Sequence, residues 1–290
     1  MSAYLAPIHT RRLTLGNGST MRIGDTGPCS DAPPIVLLHG VGVSGPLNWL
    51  HVVGPLSEHT RVITLDHRGH GQGLRTPWFR LEQCGDDVIR VLDALGIRSA
   101  ILAGFSMGGP VGMLAWRAQP QRVNGLVFSA TSHRFVGRLP STAGTLLSPG
   151  WSFAARLTPR FVHRQIITGL LSWVQPPLRR FAIDEISSAD SATIIQALGA
   201  IGRFDGSWIR SYQGPASIVV TERDQAVHPD RQLALAELLP HAQVYKTASD
   251  HMDPITRPER FVGSFVEAAC SVIYAERNTS RATQPTLDDQ

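Results

Sequence analysis

The sequence predicts an α/β protein built on a mostly parallel sheet with helices on both faces. Three observations predict it. Short continuous apolar runs recur along the chain, stretches of helical length with amphipathic spacing separate the early ones, and the runs give way abruptly to Gly, Asp, Glu or His. An apolar run without alternation suits a strand covered on both faces. Strands alternating with helices call for parallel pairing and right-handed crossovers. The loops after such strands gather at the carboxyl edge of the sheet, where ligands bind.

Taken in order, Arg11 to Gly27 holds two short alternating runs around Asn17-Gly18, a β-hairpin signal. Ile35-Val36-Leu37-Leu38 is the first continuous run and ends in His39-Gly40. The pattern returns at Val62–Leu65 before Asp66, at Ala100–Ala103 before Gly104, and at Leu126–Ser129 before Ala130. It returns again at Ile218–Thr221 before Glu222 and at Val244–Thr247 before Asp250 and His251. Cys84 to Leu95 reads as a helix with Val88, Val91, Leu92 and Leu95 on one face, and Met107 to Arg117 as another. From His133 to Gln213 no strand run occurs, yet half of the tryptophans and half of the phenylalanines lie there. A bare loop of that length does not suit a compact domain. Residues 133–213 are therefore expected to be a helical cap inserted into a core made of 1–132 and 214–276. Pro258 to Ala275 reads as the last helix, with Phe261, Val262, Phe265, Val266 and Ala269 on one face. The polar tail 277–290 is expected to be disordered.

Composition narrows the function classes. The 290 residues, 42% hydrophobic and 17% charged, suffice for one large core. The net charge is +4 and nearly every cation is arginine, Lys246 being the one lysine. No basic block suggests a nucleic-acid partner. Cys29, Cys84 and Cys270 are far apart and lack metal or disulfide spacing, as in a reduced, cytoplasmic protein. No signal peptide or membrane-spanning stretch is expected, and a homodimer stays open.

The sharpest motif is Gly104-Phe105-Ser106-Met107-Gly108-Gly109, directly after an apolar run and before a helical stretch. It is a G-x-S-x-G nucleophile elbow: a serine on a tight strand-to-helix turn, with small flanks where the turn is crowded. A turn serine that merely caps a helix is the alternative. His39-Gly40-Val41-Gly42 follows the first core strand. An oxyanion hole needs two convergent backbone N–H groups, and Met107 and Val41 are the candidates. Gly40 and Gly42 would let a substrate come close; an ordinary glycine-rich turn is the competing reading. Asp66-His67-Arg68-Gly69-His70-Gly71 matches no standard zinc spacing. It reads as a packed, hydrogen-bonded loop under the site, and no metal is expected. The base must lie downstream of Ser106, and of His133, His163, His228, His241 and His251 only the last follows the final strand. Asp224 follows the strand before it and is the candidate acid. Glu222 is its nearest competitor, and Asp250 is disfavoured as the chain neighbour of His251.

Together these pieces resemble the α/β-hydrolase superfamily. The likeness rests on HGVG at 39–42, DHRGHG at 66–71, GFSMGG at 104–109, RDQAV at 223–227 and the DH pair at 250–251. It is greatest to the capped esterase, enol-lactonase and C–C hydrolase branches. The resemblance implies an eight-stranded sheet, a helical cap and no cofactor, with Ser106, Asp224 and His251 as triad and Val41 and Met107 as oxyanion donors. Two departures stand out: many relatives have Gly-His where this chain has Asp250-His251, and many carry a glycine shortly before the acid. The expected reaction is hydrolysis of a carboxylic ester or lactone of a small to medium apolar substrate. C–C bond hydrolysis, acyl transfer and non-catalytic ligand binding are the rivals. Gly40, Gly42, Trp151 and Trp173 are candidate substrate contacts. The nine arginines of the inserted segment against its four acids suggest an anionic substrate or, equally, a solvated basic surface.

Overall fold

In the computed structural model, which describes residues 9–28, 32–135, 160–172 and 174–282, Asn17-Gly18 turns a hairpin between β1 (His9–Thr14) and β2 (Thr20–Asp25). Gly18 sits at φ +79°, a conformation that costs glycine little. Six further strands follow: β3 (Ile35–Leu38), β4 (Val62–Leu65), β5 (Ala100–Phe105), β6 (Val123–Ser129), β7 (Ala216–Thr221) and β8 (Gln243–Thr247). The eight form one sheet in the order β1-β2-β4-β3-β5-β6-β7-β8. β3 to β8 pair in parallel, while β2 joins β4 antiparallel.

Alternation along the strands sends neighbouring side chains to opposite faces. Val36, Leu38 and Leu102 enter one core with Val88, Val91 and Leu92 of α3 (Leu81–Ala94) and Val111 of α4 (Gly108–Ala118). Ile35, Leu37, Ile101 and Ala103 enter the other, with Trp49 and Leu56 of the stretch holding α1 (Gly45–Asn48) and α2 (Val53–Ser57). Both strand faces are thus covered, which is why these runs read as continuous rather than alternating.

Between β6 and β7 the described residues form α5 (Arg160–Leu170), α6 (Pro176–Ser187) and α7 (Ser191–Arg203). Asp190 caps α7, accepting from the N–H of Ala192 and of Thr193. Leu171, Val174, Ala182 and Ile183 of this insertion pack on Leu47 of α1 and Ile255 of α9 (Asp253–Thr256). α8 (Pro229–Leu238) lies between β7 and β8. α10 (Pro258–Ala282) closes the chain and runs past the expected end, so Arg277–Ala282 are helical rather than part of a disordered tail; 283–290 lie outside the described residues. Polarity alone does not stop a helix, and no proline follows Pro258 until Pro285. α3 likewise starts one turn before the apolar periodicity suggests, at Leu81. Among the described residues no helix is long and apolar enough to cross a membrane.

Candidate active site

The order β4-β3-β5 reverses direction between β3 and β5, so the loop after β3 and the turn after β5 face each other across a switch point. Ser106 occupies that turn at φ +53°, in the left-handed region that side chains other than glycine's avoid. Such strain costs on the order of 1–3 kcal/mol and persists only where the surroundings over-determine it. The Ser106 N–H donates to the Ser129 carbonyl at 3.0 Å, and its own carbonyl accepts from the Thr131 hydroxyl at 2.7 Å and from Gly109 N–H at 3.0 Å. The flanking glycines are a packing requirement. A Cβ on Gly104 would lie 2.4 Å from the Gly108 backbone, and one on Gly108 would lie 2.0 Å from the Leu38 carbonyl oxygen.

β7 and β8 are neighbours, which brings their following loops together. His251 Nδ1 lies 2.7 Å from Asp224 Oδ2. Asp224 is fully buried and saturated: Oδ1 accepts from the N–H of Ala226 and of Val227, both at 2.8 Å, and Oδ2 also accepts from the Thr221 hydroxyl at 2.9 Å. With every donor aimed at it, the carboxylate is an acceptor, so the ring donates from Nδ1 and presents Nε2 as the acceptor. The imidazole rests on the Phe105 ring, centroids 4.9 Å apart, one residue from Ser106. Phe105 in turn meets Trp49 and Phe261 edge to face. The Ser106 hydroxyl, 5% exposed as a residue, makes no hydrogen bond with another described residue.

The rival acids are placed elsewhere. Glu222 is exposed, and Asp250 accepts from the Met252 N–H at 2.8 Å rather than from the imidazole. Three of the other downstream histidines make local polar contacts: His163 meets the Ser191 hydroxyl, His241 the Gly214 carbonyl, and His228 caps α8.

Gly40 abuts the elbow, since a Cβ there would lie 3.3 Å from Ser106 Cβ. Its N–H donates to Asn48 Oδ1 at 3.0 Å, which pins the loop to α1. Gly42 takes φ +79°, leaving the Val41 peptide at the turn. Neither the Val41 nor the Met107 N–H donates to the backbone of another described residue outside helices and strands. Below them, His39 Nδ1 meets the Gly40 carbonyl at 2.7 Å while Nε2 accepts the His67 N–H at 2.9 Å. Full burial holds His39 down to about 4 and His70 to about 3, and pushes His67 well below the usual imidazole range. These rings pack at a tilt as a neutral floor, His39 to His67 centroids 4.3 Å apart and His39 to His70 5.3 Å.

Sequence reasoning missed the tie between insertion and core. Arg22 of β2 donates to buried Asp66 at 2.7 Å and forks onto Glu185 of α6 at 2.9 and 2.5 Å. Ser44 also donates to Glu185 at 2.5 Å, and Asp66 accepts the Gly45 N–H at 2.8 Å. Burial works against the Arg22 charge, but Glu185 and Asp66 outweigh it and raise the pKa. Partners up to 163 residues apart leave no local spacing to read. Of the insertion's arginines, Arg134 pairs with Asp205 and Arg164 with Asp184, while Arg179 and Arg210 donate to the Ser172 and Ser207 carbonyls. Trp151 and Trp173 lie outside the described residues.

A family model described as alpha/beta hydrolase fold matches residues 33–258. The chain belongs to that family. It is an enzyme of the α/β-hydrolase kind. RutD of Agrobacterium fabrum (strain C58 / ATCC 33970), named as a proposed carbamate hydrolase, is 27% identical to this hydrolase over 246 residues, 80% of this chain and 91% of the relative. 3-Oxoadipate enol-lactonase 1 of Acinetobacter baylyi (strain ATCC 33305 / BD413 / ADP1) is 37% identical over 105 residues, 36% of this chain and 39% of the relative. The solved enol-lactonase from Burkholderia xenovorans LB400 matches the hydrolase with a TM-score of 0.72 at 21% identity, over 90% of this chain and 100% of that one. That likeness is one of fold.

Proposed function

We propose that the chain is a serine hydrolase that cleaves a carboxylic ester or lactone through an acyl-enzyme. Ser106 is the nucleophile, His251 the general base, Asp224 the acid that orients it, and the N–H groups of Val41 and Met107 the oxyanion hole. The observation that carries the reading is the 2.7 Å bond from His251 Nδ1 to a buried, saturated Asp224, with the ring held on Phe105 beside the elbow.

Nε2 accepts the Ser106 proton as Oγ attacks the substrate carbonyl carbon, the hydrogen bond between them forming with substrate in place. Charge on the tetrahedral oxygen falls between the two amides, at the N-terminal end of α4, whose dipole favours it. Collapse breaks the C–O bond, and the leaving alkoxide takes the proton from Nε2. Water then attacks the acyl-enzyme by the same route, its proton passing through His251, and the acid departs as Ser106 regains its hydrogen. The insertion, resting on α1 and α9, acts as the cap over this edge and supplies apolar contacts to the acyl group.

The test is a fluorophosphonate probe with a panel of activated esters of increasing acyl length. Stoichiometric labelling at Ser106 and ester turnover, both lost in Ser106→Ala, are expected. Turnover unchanged in Ser106→Ala would end the proposal. Equal rates at low salt on neutral and anionic esters of one length would remove any role for the insertion's arginines in substrate choice.

A further inference from the structure

α4 carries the elbow at its start and leads away from it, so Arg117, nine residues beyond Gly108, lies roughly 13 Å further along the axis. At this far end a separate cavity of about 310 Å³ opens between α4, the start of α3 and the segment that returns from the insertion to β7. Its volume falls at the lower end of the range of small-molecule sites.

The walls combine aromatic and aliphatic side chains with charged ones. Phe79 and Leu114 come from the core, and Phe204 and Trp208 from the returning segment. Trp208 stacks on Trp116 at 6.2 Å and meets Phe204 edge to face, so its ring is held on two sides. Three arginines join this wall: Arg80, which faces Glu82, and Arg117 and Arg203. Arg117 lies 4.7 Å over the Trp208 ring. Among the described residues neither Arg117 nor Arg203 forms an ion pair. Two carboxylates line the same cleft, each beside a cation of its own: Asp205 is held ionised by Ser207 and then Arg134, and Glu82 lies 3.7 Å from Arg80. Arg117 and Arg203 each stand in the last turn of a helix, where the dipole welcomes a cation. That accounts for each one singly but not for both converging on one aromatic-lined cleft.

We infer that this cleft is a second, non-catalytic binding site for a small aromatic carboxylate: Trp208, Phe79 and Phe204 receive the ring, and Arg117 and Arg203 receive the carboxylate. A guanidinium presents paired N–H donors that match a carboxylate, and the aromatic beneath Arg117 holds it ready. The inference stands independently of the proposed ester hydrolysis.

Benzoate is the probe, titrated into the full chain while the tryptophan indole N–H resonances are followed. Trp208 is assigned by its loss in Trp208→Phe. A saturable shift of Trp208 is expected, with half-saturation near roughly 1 mM, a modest affinity suited to nine heavy atoms. Prior phosphonylation of Ser106 leaves the titration unchanged. Arg203→Gln and Arg117→Gln each weaken binding at least tenfold, Arg203→Lys retains it within threefold, and neutral benzamide binds at least tenfold more weakly. Both arginines are exposed, so the variants keep the parent melting temperature. No saturable shift of Trp208 by 20 mM, equal binding of benzamide, or equal affinity in Arg203→Gln would each overturn the assignment.

Discussion

Asp224→Asn is the most discriminating substitution, because the structure dictates how the new amide must turn. Oδ1 accepts two backbone N–H groups, from Ala226 and Val227, whereas Oδ2 faces His251 Nδ1 and the Thr221 hydroxyl. An asparagine keeps its oxygen toward the two amides and places its NH₂ toward the imidazole. The hydroxyl of Thr221 rotates to accept, so little is lost in stability, about 1–2 kcal/mol. The imidazole then accepts at Nδ1 and carries its proton on Nε2, the wrong tautomer to take the Ser106 proton. A tautomer error of this kind lowers turnover by about 10⁴-fold. Fluorophosphonate labelling of Ser106 needs the same base but no knowledge of the natural substrate. Its rate should fall by about three to four orders of magnitude in Asp224→Asn, with ester turnover falling in parallel. Glu222→Gln, at an exposed position on the same loop, should stay within about twofold of the parent. Labelling of Asp224→Asn within tenfold of the parent would refute the orienting role and return Glu222 or Asp250 to contention.

Gly108→Ala drives a methyl to 2.0 Å from the Leu38 carbonyl and should cost about 2–3 kcal/mol, whereas Gly112→Ala, with nothing nearer than 3.5 Å, should be neutral or stabilising; thermal melts compare them. Arg22→Met leaves the fully buried Asp66 without its cation and should cost about 3–5 kcal/mol in urea unfolding, while Glu185→Gln, which keeps an acceptor on Arg22, should cost about 1–2 kcal/mol; the reverse order would be inconsistent with Asp66 being the group that needs compensation. The buried histidine floor makes stability pH-dependent. His39 at about 4 and His70 at about 3 stay neutral in the fold while the unfolded chain protonates near the usual 6.5, so stability is full above that value and is lost as pH falls toward 4. Each contributes a slope of about 1.4 kcal/mol per pH unit, and His70→Gln should flatten the urea-midpoint profile between pH 6 and 4 by that share.

Much of the fold was legible because its signals are local. The hairpin is written in Asn17-Gly18, the strands in short apolar runs, and the elbow in two glycines, each two residues from Ser106, that the turn brings into mutual contact. The pairing of His251 with Asp224 was legible one level up, since chain order and adjacent strands bring their loops together. Phe105 carried no such signal. Its chemistry as the variable residue of the motif is unconstrained by spacing, and only the packing of His251 on its ring gives it a task. α10 was cut short because a polar stretch was read as a stop, although the helix had no breaker to end it.

The least legible feature, the Arg22 fork, sits at a point of leverage. Asp66 accepts from Arg22 with one oxygen and from the Gly45 N–H with the other, at the start of α1. Ser44 caps the same helix and donates to Glu185. At the far end of α1, Asn48 accepts the Gly40 N–H, and Gly40 lies against Ser106 Cβ. One short helix therefore carries the insertion's carboxylate at its first turn and the proposed oxyanion loop at its last. A shift of α6 that frees Glu185 removes an acceptor from both Arg22 and Ser44, so the helix that positions the loop keeps Asp66 but loses one of its two ties at the same moment. The geometry of the loop is in this way tied to the seating of the insertion, by charge-assisted bonds that only the folded chain brings together.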